Sequence, residues 1–240
     1  MFLAACAIGL AACATQDRTG SSLQDERYLV LLTEPLRIER DHRMDATRHP
    51  VELLRFAQVR PGMRVLDIAT GAGYTSQLLA LAVAPGGRVW SQTPKRGAAL
   101  NERLGRHPHP GFEVVERPFD DPVPPGAAPL DLVTLVLNYH DISYLPVDRD
   151  AMNRKIFAAL KPGGAYVVVD HSAVKGSGIS AGKTLHRIDE AFVRAEIERA
   201  GFMLDGEADF LRNPADNREG SSNAATPPSD RFALRFVKPR

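Results

Sequence analysis

Cysteine is nearly absent from this 240-residue sequence. The only two, Cys6 and Cys13, lie within the first thirteen residues. The rest of the chain therefore has no thiol for a disulfide bond, a zinc site or a nucleophile. Cysteine chemistry is excluded from the part of the chain that carries the fold.

An excess of charge of one sign is also lacking. Thirty lysine and arginine residues stand against 29 aspartate and glutamate residues, which leaves a net charge of +1. A chain so balanced produces no strong field to attract nucleic acid or an anionic membrane surface. The composition therefore predicts no nucleic-acid partner.

The apolar start of the chain, residues 1–14, is too short to cross a bilayer as a helix but long enough for a signal-peptide core. Leu10-Ala-Ala-Cys13 resembles a bacterial lipobox, in which Cys13 would carry a lipid anchor to the membrane, and Leu3-Ala-Ala-Cys6 is a second, weaker copy. No lysine or arginine precedes this stretch, so a miscalled start is the alternative.

From these features we expect a signal peptide with a lipobox over residues 1–13, a flexible tether over 14–33 and one domain over 34–240. The expected location is the cell envelope, with the domain facing the periplasm. If the start is miscalled, the expected location is the cytoplasm. The oligomeric state is not predicted.

Strand and helix patterns alternate along the domain, as in proteins with a parallel sheet flanked by helices. A helix from Pro50 is expected to cap the sheet edge where ligands bind, and residues 212–228 read as a mobile hairpin loop. The patterns predict strands at residues 64–68, 88–92, 112–115, 131–137, 165–170, 202–210 and 231–237, with helices at 74–83, 94–104, 148–160 and 185–200.

A glycine-containing segment joins the first strand to the next helix. It reads Val65-Leu-Asp-Ile-Ala-Thr-Gly-Ala-Gly-Tyr-Thr75. Glycines let backbone N–H groups approach a ligand, and the start of the following helix favours an anion. The segment resembles the first motif of class I S-adenosylmethionine-dependent methyltransferases, whose acidic residue and glycines are matched by Asp67, Gly71 and Gly73.

Further segments follow in the order expected for that superfamily. Leu160-Lys-Pro-Gly-Gly164 and Ala200-Gly-Phe202 each precede a predicted strand. Asn138-Tyr-His-Asp141, Leu185 to Glu190 and Leu211 to Pro214 resemble a bacterial family of predicted methyltransferases, exported or lipoprotein. The likeness covers residues 45–240 and implies a three-layer, Rossmann-like α/β fold, with a seven-stranded, mostly parallel sheet whose last strand is antiparallel.

The resemblance also implies S-adenosylmethionine as cofactor, with two departures in its site. Ala69 replaces the first glycine, which requires a negative φ at this residue. Gln92 and Thr93 replace the acidic residue that holds the ribose, at a cost of about 1 kcal/mol. The predicted cofactor-binding residues are Asp67, Ala69, Thr70, Gly71, Gly73, Tyr74, Gln92, Thr93, Asp120 (for the adenine) and Asn138.

Polar residues at the ends of two later strands are candidates for the methyl-transfer chemistry. Ligands bind at the carboxyl ends of such strands, and transfer to oxygen or nitrogen often needs a base. His140 and Asp141 are the first candidates for this base, and His171 is the second. A metal site from Asp141, Asp170 and His171 is considered, but no metal is predicted because the acidic spacing of the divalent-ion O-methyltransferases is missing.

Three functions are compatible with these motifs. Methyl transfer to a small-molecule acceptor with an oxygen or nitrogen nucleophile is the leading one. A non-catalytic or divergent lipoprotein that binds a ligand or partner in the envelope is the alternative. A nicotinamide-dependent oxidoreductase is less favoured, because the third glycine of its motif would fall at Ser76.

Overall fold

The computed structural model describes residues 23–224 and 228–240. The predicted signal peptide, the lipobox at Cys13 and the first part of the predicted tether lie outside the described residues. In the part of the chain that is described, no helix is both long enough and apolar enough to cross a membrane.

A first helix, α1, covers residues 23–31. Its Tyr28 side chain is fully buried and donates a hydrogen bond to the carbonyl oxygen of Val59 at 2.6 Å. The expectation of a flexible tether is therefore wrong for this segment. Only Tyr28 and Leu31 of α1 are buried in the core, too few to produce a helical pattern in the sequence.

Seven strands form one sheet in the order β3-β2-β1-β4-β5-β7-β6. Strands β1 to β5 pair in parallel, whereas β7 is antiparallel to both of its neighbours. The predicted mostly parallel sheet with an antiparallel last strand is confirmed. The strands are β1 (Arg64–Ile68), β2 (Arg88–Thr93), β3 (Phe112–Glu116), β4 (Leu130–Val136), β5 (Leu160–His171), β6 (Met203–Ala208) and β7 (Arg231–Val237).

Helices cover both faces of this sheet, which gives the predicted three layers. Alternate residues of each strand point to opposite faces, so Val65 belongs to one buried cluster, with Tyr28, and Leu66 to the cluster on the other face, with Met152. The helices after α1 are α2 (Glu39–Arg48), α3 (Pro50–Phe56), α4 (Tyr74–Val83), α5 (Ala98–Arg106), α6 (Tyr139–Ser143), α7 (Arg149–Ala159), α8 (Gly182–Leu185) and α9 (Glu190–Arg199).

The described part of the segment predicted as a mobile hairpin loop is anchored to the domain. The guanidinium of Arg187, fully buried, donates to both carboxylate oxygens of Asp216, at 2.7 and 3.1 Å. Asn213 N–H donates to the carboxylate of Asp230 at 2.8 Å. Polar anchoring of this kind leaves no apolar period, so sequence patterning alone could not detect it.

Candidate functional site

A cavity of about 130 Å³ opens where β1 ends. The predicted loop borders it on one side, and the residue that follows β4, Leu137, borders it with Asn138. Helix α2 contributes Arg40, Asp41, Met44 and Arg48. The cover of this sheet edge is therefore α2, and the expectation that the helix from Pro50 caps it is wrong, because α3 packs its Leu53 and Leu54 into the core.

The two glycines of the loop have different surroundings. Gly71 and Gly73 both have positive φ, 54° and 83°. A Cβ atom on Gly73 would lie 2.9 Å from Cδ of Arg103, so the packing itself requires glycine there. A Cβ atom on Gly71, which lines the cavity, would meet nothing closer than the Ala69 carbonyl oxygen at 4.0 Å. Gly71 therefore borders open space.

The start of α4 also borders the cavity. Gly73 precedes this helix without a side-chain cap, and Tyr74 and Thr75 line the cavity. The N–H groups of a first helical turn have no partner within the helix and carry partial positive charge. This end of α4 is suited to a carboxylate or another anion.

Ala69 adopts a left-handed conformation, with φ of 59°, so the expectation of a negative φ is wrong. Its N–H donates to Oε1 of Gln92 at 3.1 Å, and its carbonyl oxygen accepts from Nδ2 of Asn138 at 3.3 Å. A left-handed conformation costs an alanine roughly 1–2 kcal/mol. The two amide side chains hold the loop in the shape that a glycine would adopt freely.

The side chains of the residues predicted to bind the ribose make contacts with the backbone. Gln92 is fully buried, and its Nε2 donates to the Arg117 carbonyl oxygen at 2.6 Å, so both ends of its amide are used on the backbone. Thr93 donates to the Lys95 carbonyl oxygen at 2.9 Å. Of the described residues that line the cavity, none is Gln92, Thr93 or the half-buried Asp120.

Asp67 lies in β1, just before the glycine loop, and is almost completely buried. Ser76 donates to its Oδ2 at 2.5 Å, and Thr134 donates to its Oδ1 at 2.6 Å. Burial raises the pKa of Asp67 to about 6, although both hydroxyl donors act in the opposite direction. Thr70 completes the network, because its hydroxyl lies 2.5 Å from that of Ser76.

A buried ion pair that the sequence analysis missed ties α2 to the loop. Arg103 of α5 donates to both carboxylate oxygens of Asp41, at 2.8 and 2.7 Å, and its Nε donates to the Ala72 carbonyl oxygen at 2.6 Å. Each side chain of the pair is 2% exposed. The residues are 62 positions apart on two charged helices, so no local pattern could reveal the pair.

Arg48, at the end of α2, also lines the cavity. Its guanidinium carbon lies 5.1 Å from the centre of the Tyr74 ring. Burial lowers the pKa of Arg48, and the described carboxylates Asp67 and Asp41 act on it only through space. Its guanidinium is therefore a candidate partner for the carboxylate of a ligand.

The predicted catalytic residues form a cluster at the ends of β4 and β5. His140, in α6, is almost completely buried, and its Nδ1 lies 2.6 Å from Oδ1 of Asp170. The same carboxylate accepts the backbone N–H groups of His140 (2.8 Å) and His171 (2.7 Å). Nε2 of His140 lies 3.3 Å from Oδ1 of Asp141. The three predicted residues are thus neighbours, with Asp170 between them.

These groups have strongly shifted pKa values. Burial alone would lower the pKa of His140, but the hydrogen bonds to Asp141 and Asp170 outweigh it and raise the value to about 9. The pKa of Asp141 falls to about 2: burial acts upward, but the contacts with His140 and Tyr144 outweigh it. The pKa of His171 also falls to about 2, because of burial and then the nearby charge of Arg231.

None of His140, Asp141 and His171 is among the described residues that line the cavity, but Asn138, two residues before His140, is. Nδ1 of His186 lies 3.4 Å from Oδ1 of Asp141. Arg231 was missed: it donates weakly to His171 at 3.4 Å and to the Thr47 carbonyl oxygen at 2.6 Å.

The sequence and the structure of this chain are similar to those of known methyltransferases. A family model described as protein-L-isoaspartate(D-aspartate) O-methyltransferase matches residues 15–96. A methyltransferase of Aquifex aeolicus, described as S-adenosylmethionine-dependent, has a similar structure, with a TM-score of 0.60, 16% identity and coverage of 89% of this chain and 97% of that one. The chain has the class I methyltransferase fold.

Two further methyltransferases are similar to parts of this chain. The ubiquinone/menaquinone biosynthesis C-methyltransferase UbiE of Burkholderia cenocepacia is 30% identical over 130 residues, which are 49% of this chain and 47% of that protein. The chain therefore spans about half the length of the curated relatives it matches. The structure of the glycopeptide N-methyltransferase MtfA, solved with sinefungin, is similar with a TM-score of 0.58 and 16% identity. The match covers 81% of this chain and 87% of the MtfA chain.

Proposed function

We propose that this protein transfers a methyl group from S-adenosylmethionine to a small-molecule acceptor. The observation that carries the proposal is the cavity between the glycine loop, the start of α4 and α2. It lies at the carboxyl end of β1 in a parallel sheet, which is where ligands bind in such folds. The motif in its wall is the one through which the sequence resembles class I methyltransferases.

The cavity offers complementary groups for the two ends of the cofactor's amino-acid part. The start of α4 and Arg48 would bind the carboxylate. Asn138, whose amide nitrogen already donates to the Ala69 and Val136 carbonyl oxygens, has a side-chain oxygen that can accept from the amino group. When bound, the cofactor supplies the electrophilic methyl group.

The acceptor would bind beside the cluster of His140, Asp141 and His171, at the ends of β4 and β5. The acceptor atom predicted from the sequence is oxygen or nitrogen. The UbiE relatives support carbon as a further possibility, since they are C-methyltransferases. Either way, the role of the chain is to hold the acceptor in line with the methyl group, which accounts for much of the rate gain in such reactions.

Calorimetric titration with S-adenosylhomocysteine tests the cofactor assignment. Gly71→Asn places a side chain in the cavity at a residue with positive φ, a conformation that asparagine tolerates. We expect binding to the wild type and at least a tenfold loss of affinity, about 1.4 kcal/mol, in the variant.

Gly62→Asn is the matched control for this titration. Gly62 also has positive φ, 81°, and a Cβ atom there meets nothing within 4 Å, but it does not line the cavity. Its affinity should equal that of the wild type. Absence of binding to the wild type, or equal loss in both variants, would refute the assignment.

The use of Gln92 on the backbone favours a second candidate, a divergent protein of this fold that binds its ligand without turnover. In this chain Gln92 stands where the family has the carboxylate that holds the ribose, and its amide is used on the backbone. Incubation with S-adenosylmethionine labelled in the methyl group and a small-molecule extract separates the two candidates. Transfer of label above that of the Gly71→Asn variant would eliminate the non-catalytic one.

The envelope location is part of the proposal as well. It is supported by the lipobox-like residues that end at Cys13. A fractionation experiment with wild type and Cys13→Ser tests it, because loss of the acylated cysteine should move the protein from the membrane to the soluble fraction. The same distribution for both proteins would contradict a lipid anchor at this residue.

A further inference from the structure

Two imidazoles and one carboxylate converge on the proposed acceptor side of the site. Nε2 of His140 and Nδ1 of His186 lie 3.3 and 3.4 Å from the same oxygen, Oδ1 of Asp141. The three ligand atoms all lie within 4.8 Å of one another. Ligand atoms about 2.0–2.1 Å from a tetrahedral zinc ion are roughly 3.3–3.4 Å apart. The two distances to Asp141 are thus those expected between neighbouring ligands of one metal ion.

A second contact fixes the orientation of one imidazole. Asp170, fully buried, lies 2.6 Å from Nδ1 of His140, so the other ring nitrogen, Nε2, faces Asp141. A carboxylate behind a histidine is the usual support of a metal-binding imidazole, since it sets the tautomer and the ring orientation. The support of His140 by Asp170 involves no residue of the proposed cofactor cavity.

The exposure of the cluster allows an ion to enter. The His140 side chain is 5% exposed, whereas Asp141 and His186 are 37% and 34% exposed. Three protein ligands with one open side are typical of metal sites that keep a position for water or substrate. Two imidazoles and one carboxylate suit zinc and other first-row transition ions better than magnesium, which prefers oxygen ligands.

We propose that His140, Asp141 and His186 bind a divalent first-row transition ion at the carboxyl ends of β4 and β5. This differs from the sequence expectation that the protein has no metal. Because Asn138 lines the cofactor cavity and His140 follows two residues later, the ion would lie on the acceptor side of the site. Metal binding does not depend on methyl transfer or on the cofactor.

Titration with Zn²⁺, followed by calorimetry, tests the proposal. The full chain is used with Cys6→Ser and Cys13→Ser, so that no thiol competes for zinc. We expect one strong site for Zn²⁺ and none for Mg²⁺. In this background, His186→Asn should weaken Zn²⁺ binding at least about tenfold. Asparagine suits the positive φ of 51° at this residue, so the variant keeps the backbone.

A surface histidine beside a carboxylate provides the matched control. Nδ1 of His42 lies 3.9 Å from Oδ2 of Asp45, with a 43% exposed side chain. His42→Asn should bind Zn²⁺ like its parent, and Asp141→Asn should lose affinity like His186→Asn. No strong site in the parent, or an equal loss in His42→Asn, would overturn the proposal. Neither result depends on S-adenosylhomocysteine, so failure here leaves the cofactor assignment undecided.

Discussion

At the scale of single residues, the loop after β1 is held in a strained shape by side chains outside it. Ala69 has a positive φ because Gln92 and Asn138 bind its two backbone groups. In the sequence, the alanine and the glutamine look like two separate departures from the family pattern. In the structure they are one arrangement, in which Gln92 supports the residue that replaces glycine.

Ala69→Gly should therefore stabilise the protein. Glycine adopts a positive φ without steric cost, so the free energy of unfolding should rise by about 1 kcal/mol. Urea unfolding of wild type and variant measures this change. A less stable variant would show that Ala69 is not strained.

The stability of the domain should depend on pH through Asp67. Its pKa is about 6 in the folded state and about 3.8 in the unfolded state, so the folded state binds the proton more tightly. Stability from this group is fully present below pH 4 and is lost as the pH rises from 4 to 6, by at most about 1.4 kcal/mol per pH unit.

Asp67→Asn removes this titration, and comparison with it isolates Asp67 from the other carboxylates. The free energy of unfolding of the cofactor-free variant, minus that of the wild type, should increase from pH 4 to pH 6 and then stay constant. An equal pH dependence in the two proteins would mean that burial of Asp67 has little effect on its ionisation.

The residue scale is also where sequence reasoning was least complete. Asp67, Gly71 and Gly73 could be assigned to one loop from the sequence, because the need for an acidic group and for small side chains is local to one segment. Asp41, Arg103 and Arg231 could not, because each acquires its partner only through tertiary packing. Gln92 was placed on the right strand, but the direction of its amide depends on Ala69.

At the scale of elements, α2 is attached to the loop by the Arg103–Asp41 pair. Removing one partner leaves the other charge buried and unpaired. Arg103→Gln should therefore lower the free energy of unfolding by about 3–5 kcal/mol. The exposed Arg106–Glu102 pair lies on α5, the helix of Arg103, and is the control. Arg106→Gln should lower the free energy of unfolding by less than about 1 kcal/mol.

A double variant, Arg103→Met with Asp41→Leu, checks the cause of that loss. It removes both charges, so much of the stability lost in Arg103→Gln should return. If the double variant is as unstable as the sum of the two single changes, the loss comes from packing and not from an unpaired charge.

The regular elements were predicted well where strand, turn and helix follow one another without interruption. Helix α4 was predicted with its observed bounds, because a strand, a glycine turn and a buried helix follow one another without interruption. Helix α6 was not predicted, because five residues are too few for a helical pattern. Helix α1 was read as a tether because only two of its residues, Tyr28 and Leu31, are buried in the core.

At the scale of the whole molecule, the domain includes α1. Tyr28→Ala should lower the free energy of unfolding by about 3 kcal/mol, because a buried aromatic ring and its hydrogen bond to Val59 are lost. Leu29→Ala, at a 55% exposed neighbour on the same helix, should change it by less than about 0.5 kcal/mol. Urea unfolding measures both changes. If Tyr28→Ala and Leu29→Ala have equal effects, α1 does not contribute to the stability of the domain.

The class of fold was predictable from the order of strands and helices, since alternation dictates a parallel sheet and the sheet dictates which strand ends meet. The acceptor was not, because the groups proposed to lie beside it, in α6 and at the ends of β4 and β5, meet only in the folded chain. The proposed function therefore depends on one place, the cavity beside the loop from Asp67 to Thr75.

Amide hydrogen exchange with and without S-adenosylhomocysteine tests that claim most directly, because it reports where the ligand binds. The account predicts slower exchange at residues 67–75 and in α2 when the ligand is present, with α9 unchanged. Unchanged exchange at residues 67–75 at a saturating ligand concentration would contradict it.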